Sequence, residues 1–238
     1  DAAGASRALR GLVHIERVTG NLERAEEHLA RWLVLTDETH DAESAGWAYQ
    51  AKAVLASARG DFDAAAAHAA RASREMERAE NMFGAAHCLN TSAEIARRRG
   101  DHGAAESAYA QALTLASSLG ILIRHVVRLN LALLWLEQER FERGEEQLLR
   151  CVRAAPAVGM GVLDFGARGG LLYCAAIKGD VDAWREHFAA LAARAGREVD
   201  REAAGWVERA AAASRRAGRI DEAAEATDLA ARLVGGAR

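Results

Sequence analysis

Proline is almost missing from this chain: Pro156 is the single one in 238 residues. Runs of β-branched residues are nearly absent as well, which argues against a strand-rich fold. Alanine, leucine, arginine and glutamate dominate instead, a helix-forming composition. Lysine is confined to Lys52 and Lys178, so arginine carries nearly all the basic charge. The net charge is only -3, and such a balance argues for neither a nucleic-acid partner nor an anionic membrane surface. The three cysteines, Cys88, Cys151 and Cys174, are odd in number and far apart. No pair has metal-ligand or redox-motif spacing, so they read as buried thiols of a reducing, cytoplasmic compartment. No apolar run approaches the roughly 18 residues of a membrane-spanning helix, and nothing at the start reads as a signal peptide. The chain opens on Asp1 without methionine and is in helical pattern by Ala5, as a piece of a longer protein would be.

Motifs of catalysis are missing too. There is no glycine-rich dinucleotide fingerprint, no phosphate-binding Gly-Lys-Ser/Thr loop, no nucleophile elbow and no HExxH. The run Gly159-Met160-Gly161 through Gly166, Gly169 and Gly170 follows no strand and precedes no Lys-Ser/Thr, so it reads as a closely packed helix start. His87-Cys88, His125 and His187 form no helical two-ligand clamp. Arg97-Arg98-Arg99 point in different directions along a helix and lie near Glu94 and Asp101, as a solvated helix C-terminus does. The expectation is a protein with no catalytic residue, no cofactor and no metal.

What the chain has is a punctuation mark that returns about every 40 residues: glycine, an Asx residue, an apolar residue, and a small residue three positions on. Its copies are Gly20-Asn21-Leu22 with Ala25, Gly60-Asp61-Phe62 with Ala65, and Gly100-Asp101-His102 with Ala105. Weaker copies are Glu139-Arg140-Phe141 with Gly144, Gly179-Asp180-Val181 with Trp184, and Gly218-Arg219-Ile220 with Ala223. Successive copies are 40, 40, 39, 40 and 39 residues apart. A fixed period of this size means stacked supersecondary units. In each unit a helix ends at a glycine suited to the left-handed C′ position, and the Asx side chain caps the next helix. The division predicts helix pairs at 5–19 and 22–36, 43–59 and 62–79, 82–99 and 102–118, 121–138 and 141–154, 160–178 and 181–195, and 199–217 and 220–234.

Two stretches carry a family resemblance: Ala93-Glu94-Ile95-Ala96-Arg97-Arg98-Arg99-Gly100-Asp101 with Ala104-Ala105, and Leu129-Asn130-Leu131-Ala132-Leu133-Leu134-Trp135-Leu136 with Arg140-Phe141. Both resemble tetratricopeptide repeats, in a form longer than the usual period of about 34. The family's small residue seven before the turn matches Ala53, Ala93, Ala132 and Ala211, with Val13 and Leu172 departing from it. Its small residue early in the second helix matches Ala25, Ala65, Ala105, Gly144 and Ala223, with Trp184 the exception. The repeat-closing proline matches Pro156 alone. The resemblance implies an all-α fold, a right-handed superhelix of about six antiparallel helix hairpins. One array over 1–238 would comprise repeats at about 1–40, 41–80, 81–119, 120–158, 159–197 and 198–238.

The resemblance also implies that the first helix of each pair lines a concave groove. Counting 13, 10, 6 and 3 back from the turn gives Arg7, Arg10, His14 and Arg17, then Trp47, Gln50, Val54 and Ser57, then His87, Asn90, Glu94 and Arg97. Each set shares one helical face. Forked donors, amides and an aromatic anchor suit an extended peptide or a carboxylate-bearing partner, with a merely solvated polar face as the other reading. In the fourth repeat the stripe is Val126, Leu129, Leu133 and Leu136, on a helix apolar nearly all round, beside Gly166, Gly169, Tyr173 and Ala176. Leu129, Leu133, Leu136 and Tyr173 are therefore candidates for an apolar contact, with burial inside the chain as the other reading. Long repeats of this kind resemble those of large bacterial signalling and transcriptional regulators. The expected function is a scaffold or sensory module that binds a peptide, a protein segment or a neighbouring domain. The alternative is a small-ligand sensor with an apolar pocket near the fourth and fifth repeats. Direct nucleic-acid binding and membrane association are not expected, and a homodimer is left open.

Overall fold

A computed structural model describes residues 1–117, 121–195 and 201–235. Among the described residues there are twelve helices and no strand: α1 (Ala2–Thr19), α2 (Leu22–Thr39), α3 (Ala42–Ala58), α4 (Phe62–Arg78), α5 (Met82–Arg99), α6 (His102–Ala116), α7 (Ile121–Glu137), α8 (Phe141–Val158), α9 (Gly161–Lys178), α10 (Val181–Ala192), α11 (Arg201–Arg216) and α12 (Ile220–Gly235). No described helix is long and apolar enough to cross a membrane. The sequence divides in the same places, within a few residues. The expected boundaries at 118, 119–120 and 197–199 lie outside the described residues. α2 continues past the expected end at 36, because no breaker precedes the left-handed His40 at φ 52°. α8 runs through Pro156, whose missing N–H costs one backbone bond in the last turn, and stops at Gly159.

All six punctuation positions lie in the left-handed region: Gly20, Gly60, Gly100, Glu139, Gly179 and Gly218. The residue after each donates its backbone N–H back to the carbonyl five positions earlier, as Asp61 does to Ala56 (3.0 Å) and Asp101 to Ala96 (2.9 Å). Its side chain then starts the next helix. Asp61, Asp101 and Asp180 each accept the backbone N–H three residues on at 3.0 Å, which satisfies a donor the helix leaves free. Asn21 departs from the pattern: its amide donates to Glu16 Oε2 at 2.8 Å and makes no cap. Two of the turns between hairpins use the same chemistry without glycine, whereas the turn after α8 has Gly159 at φ 65°. His40 and Glu80 take the left-handed conformation, and Asp41 and Asn81 cap the helices that follow.

The chain packs as two compact units, 1–127 and 128–238. In the first, the expected small positions are sealed: Ala25, Ala53, Ala65, Ala93 and Ala105 have no accessible surface. Ala53, Ala65 and Ala69 form one cluster with Ile95, where a larger side chain would separate the helices.

In the second unit the leucine stripe of α7 is core. Leu133 has no accessible surface, Leu136 1% and Leu129 7%. Glycines make this packing possible. A Cβ on Gly166 would sit 3.0 Å from Leu129 Cδ2, and one on Gly170 would sit 2.7 Å from Leu148 Cδ1 and 3.0 Å from Leu133 Cδ2. A Cβ on Gly144 would meet Leu136 Cδ2 at 2.5 Å and the Ala132 carbonyl oxygen at 3.0 Å. Of the two readings of the stripe, burial inside the chain is the one the packing shows. Leu129, Leu133 and Leu136 are corrected from contact surface to core. Tyr173 stays half-buried between Phe141 (5.8 Å between ring centres) and Trp206 (5.7 Å).

Candidate functional site

The first unit brings most of the expected groove residues together. Arg10, His14 and Arg17 of α1, Trp47, Gln50 and Val54 of α3, and His87 of α5 line one cleft of about 180 Å³. Arg7 lines an adjoining cleft of about 290 Å³ that shares Arg10 and Trp47 and has the carboxylates of Asp41 and Glu43 in its lining. The regular helix period sets this geometry, since equivalent residues of successive first helices fall side by side.

Aromatic contacts fix the middle of the site. The Arg10 guanidinium lies 4.0 Å from the centre of the Trp47 ring. Trp47 also meets His87 edge-on at 5.5 Å and Phe83 at 6.2 Å, and Phe83 meets His87 at 4.7 Å. Trp32 lies at the base, its indole N–H donating to Ser44 Oγ at 2.8 Å. Gln50 donates to Thr91 Oγ1 at 2.9 Å, which ties α3 to α5.

Electrostatically the cleft is cationic. Arg10 and Arg17 both line it, and no carboxylate does. His14 lies 3.5 Å from Arg17 and is held below its ordinary value by burial and by both arginines. Burial, helped by Arg10, pushes His87 down to about 4, so its ring is neutral at pH 7 and has a nitrogen free to accept a hydrogen bond. Burial also lowers Arg10 and Arg17, with Glu43 opposing the effect on Arg10, yet an arginine keeps its charge. Two guanidiniums without a carboxylate in the lining favour an anionic guest. The indole, imidazole and Val13 and Val54 side chains favour apolar bulk beside it.

Other expected residues lie outside these two clefts. Glu94 and Arg97 pair with each other at 2.9 Å on one face of α5, which spends both charges locally. Asn90 is half-buried on the same helix and lines neither cleft. Arg98 donates to Ser57 Oγ at 3.0 Å and Arg99 pairs with Asp63 at 3.1 Å, so the arginine run diverges in three directions. Phe83 and Trp32 were missed by the stripe register. Phe83 had a signal in the sequence, as half of an apolar Met82-Phe83 pair at a helix start.

Near the fourth and fifth repeats, a cleft of about 330 Å³ has Val152, Ala155, Pro156 and Met160 on one side. The other side is ionic: Asp164 accepts from Arg168 at 2.9 Å and from Arg194 at 3.4 Å. The three cysteines are buried, and burial pushes their thiols up to about 12, 11 and 12 for Cys88, Cys151 and Cys174, which leaves them poor nucleophiles.

No protein-family model and no curated protein matches the sequence. Solved structures do match. The complex of a Rap protein with competence and sporulation factor superposes with TM-score 0.76 at 13% identity, covering 98% of this chain and 63% of that one. BtubC (BKLC) from P. vanneervenii gives 0.68 at 20% identity, covering 89% and 90%. A signal transduction ATPase (STAND) protein with a tetratricopeptide repeat sensor, from Pyrococcus horikoshii, gives 0.68 at 15% identity, covering 98% and 37%. The chain has the tetratricopeptide-type repeat fold.

Proposed function

We propose that the chain is a non-catalytic interaction module of a larger regulatory protein, and that the first unit binds an extended peptide or protein segment along α1, α3 and α5. One observation carries the reading: the Arg10 guanidinium stacked on Trp47, with Arg17, His14 and His87 around it and no carboxylate in the lining. The matching guest is an acidic side chain or other carboxylate next to an aliphatic or aromatic residue. Its oxygens take the arginine donors, and its apolar part lies over the indole. The similarity to a structure of a Rap protein complexed with competence and sporulation factor supports a binding role for a repeat array of this kind.

The test is a nuclear magnetic resonance titration with two hexapeptide pools, one of mixed Glu and Leu, the other with Gln in place of Glu. The acidic pool should shift the Trp47 indole and the backbone of Arg10, Arg17 and His87. Replacing Arg10 and Arg17 together by Ala should remove those shifts. Equal responses to the two pools, or shifts elsewhere in the chain, would overturn the assignment.

A further inference from the structure

In the chain's own stacks, three positions of a first helix face the hairpin before it. They lie 12, 8 and 5 residues ahead of the turn residue: Ala48, Lys52 and Leu55 in α3, Cys88, Ser92 and Ile95 in α5, and Ala167, Leu171 and Cys174 in α9. The apolar members are closed off, with Ala48, Cys88, Ala167 and Cys174 at 0% exposure and Leu55, Leu171 and Ile95 at 2–4%. In each case the second helix of the preceding hairpin covers them. Leu55 clusters with Leu29 and Trp32 of α2, Ile95 with Ala65 and Ala69 of α4, and Leu171 and Cys174 with Leu148 and Cys151 of α8.

α1 carries Ala8, Leu12 and Ile15 at the same three positions, and all three are exposed among the described residues. Ile15 is 57% exposed and Leu12 39%, and Val18, one turn on, is 44% exposed. Gly11 within the stripe has open space where a Cβ would stand. The stripe bears no charge, although Arg7, Arg10 and Arg17 of the same helix line the groove clefts. At the first and third of these positions the other first helices bury small or apolar side chains of the same kind. We propose that this face of α1 is a docking surface for a helical hairpin of the same repeat type. The second helix of that hairpin would present small or apolar side chains at i, i+4, i+7 and i+11, as Ala65, Ala69, Ala72 and Met76 do on α4. The equivalence of α1 with α3, α5 and α9 identifies the occupant, since each of those faces is filled in this way.

Asp1 makes the test direct. It stands 19 residues before its turn glycine, as Asp41 and Asn81 stand before theirs, and it caps α1 through the Ala3 N–H at 3.1 Å. A second copy of residues 41–80 fused ahead of Asp1 therefore presents α4 to α1 in the native register. Hydrogen exchange of the α1 amides should slow by about tenfold or more in the fusion, because opening α1 now requires undocking the hairpin. Leu12→Glu with Ile15→Glu should abolish the gain, and the milder Ile15→Ser should reduce it. The same double change in the unfused chain should leave helicity by circular dichroism unaltered, since both side chains are exposed. Unchanged α1 exchange in the fusion, or an equal gain in the glutamate variant, would overturn the proposal. Self-association of the unfused chain by sedimentation, lost in the glutamate variant, would also overturn it by making a second copy the occupant.

Discussion

Leu133 offers the sharpest energetic test of the second unit. The side chain has no accessible surface and packs against Leu136 and Leu148 where Gly170 leaves room for it. Leu133→Ala removes three carbons, worth roughly 2.4 kcal/mol at about 0.8 kcal/mol per buried methylene. A cavity term adds to this, because Gly170 has no side chain to relax into the void. The expected loss is about 3–4 kcal/mol, inside the usual range for such changes. Leu149→Ala is the control: the residue lies on α8 beside buried Leu148 but is 38% exposed, and it should cost less than about 1 kcal/mol. Urea denaturation, with hydrogen exchange read at the amides of α8 and α9, measures both variants. Sedimentation over a concentration series shows whether either change alters assembly. Equal stabilities for the two variants would refute the placement of the stripe in the core. So would a small loss for Leu133→Ala accompanied by a wild-type dimer that the change dissolves.

Glu139 holds the left-handed turn position at φ 60° that glycine holds in the other five copies, so Glu139→Gly should raise stability by about 0.5–1 kcal/mol in the same urea titration. Gly144→Ala should lower it by about 1–3 kcal/mol, because the new Cβ would press on the Ala132 carbonyl and on Leu136. His87 titrates near 6.5 when unfolded and near 4 when folded, so between those values the unfolded chain holds a proton that the folded chain does not. Stability should therefore be flat in this contribution above pH 6.5 and fall by about 3 kcal/mol as pH drops toward 4. The difference between wild type and His87→Gln over that window isolates the residue from His14 and His187, which shift in the same direction.

The architecture was legible because backbone chemistry leaves marks in sequence. A left-handed turn calls for glycine, a free helix N-terminus calls for an Asx side chain, and a close helix crossing calls for alanine. Gly60, Asp61 and Ala65 are all three within six residues. Two turns between hairpins were harder to read because His40 and Glu80 hold the left-handed conformation without glycine. The groove was legible where it depends on register alone, so Arg10, Arg17, Trp47 and His87 fall together as counted. Glu94 and Arg97 illustrate the limit. A helical count places both on the inward face but does not show that they neutralise each other. The leucines of α7 were ambiguous for a related reason. An apolar stripe looks the same whether it is covered by the chain or by a partner, and the glycines of α8 and α9 decide it, by letting both helices come close enough to close over the stripe.

The most direct measurement of the central claim is a selection from a random peptide library on the wild-type chain, followed by affinity measurement of the winners against Arg10→Ala and Trp47→Ala. Enriched peptides should pair a carboxylate with a neighbouring aliphatic or aromatic residue. Loss of the Arg10 guanidinium should weaken them by about 10- to 100-fold, the scale of a charge-assisted hydrogen bond at a partly buried site. Loss of the Trp47 indole should weaken the same peptides, and raising the salt concentration should weaken wild-type binding more than binding to Arg10→Ala. Winners without acidic residues, or winners that bind both variants as tightly as wild type, would contradict the account.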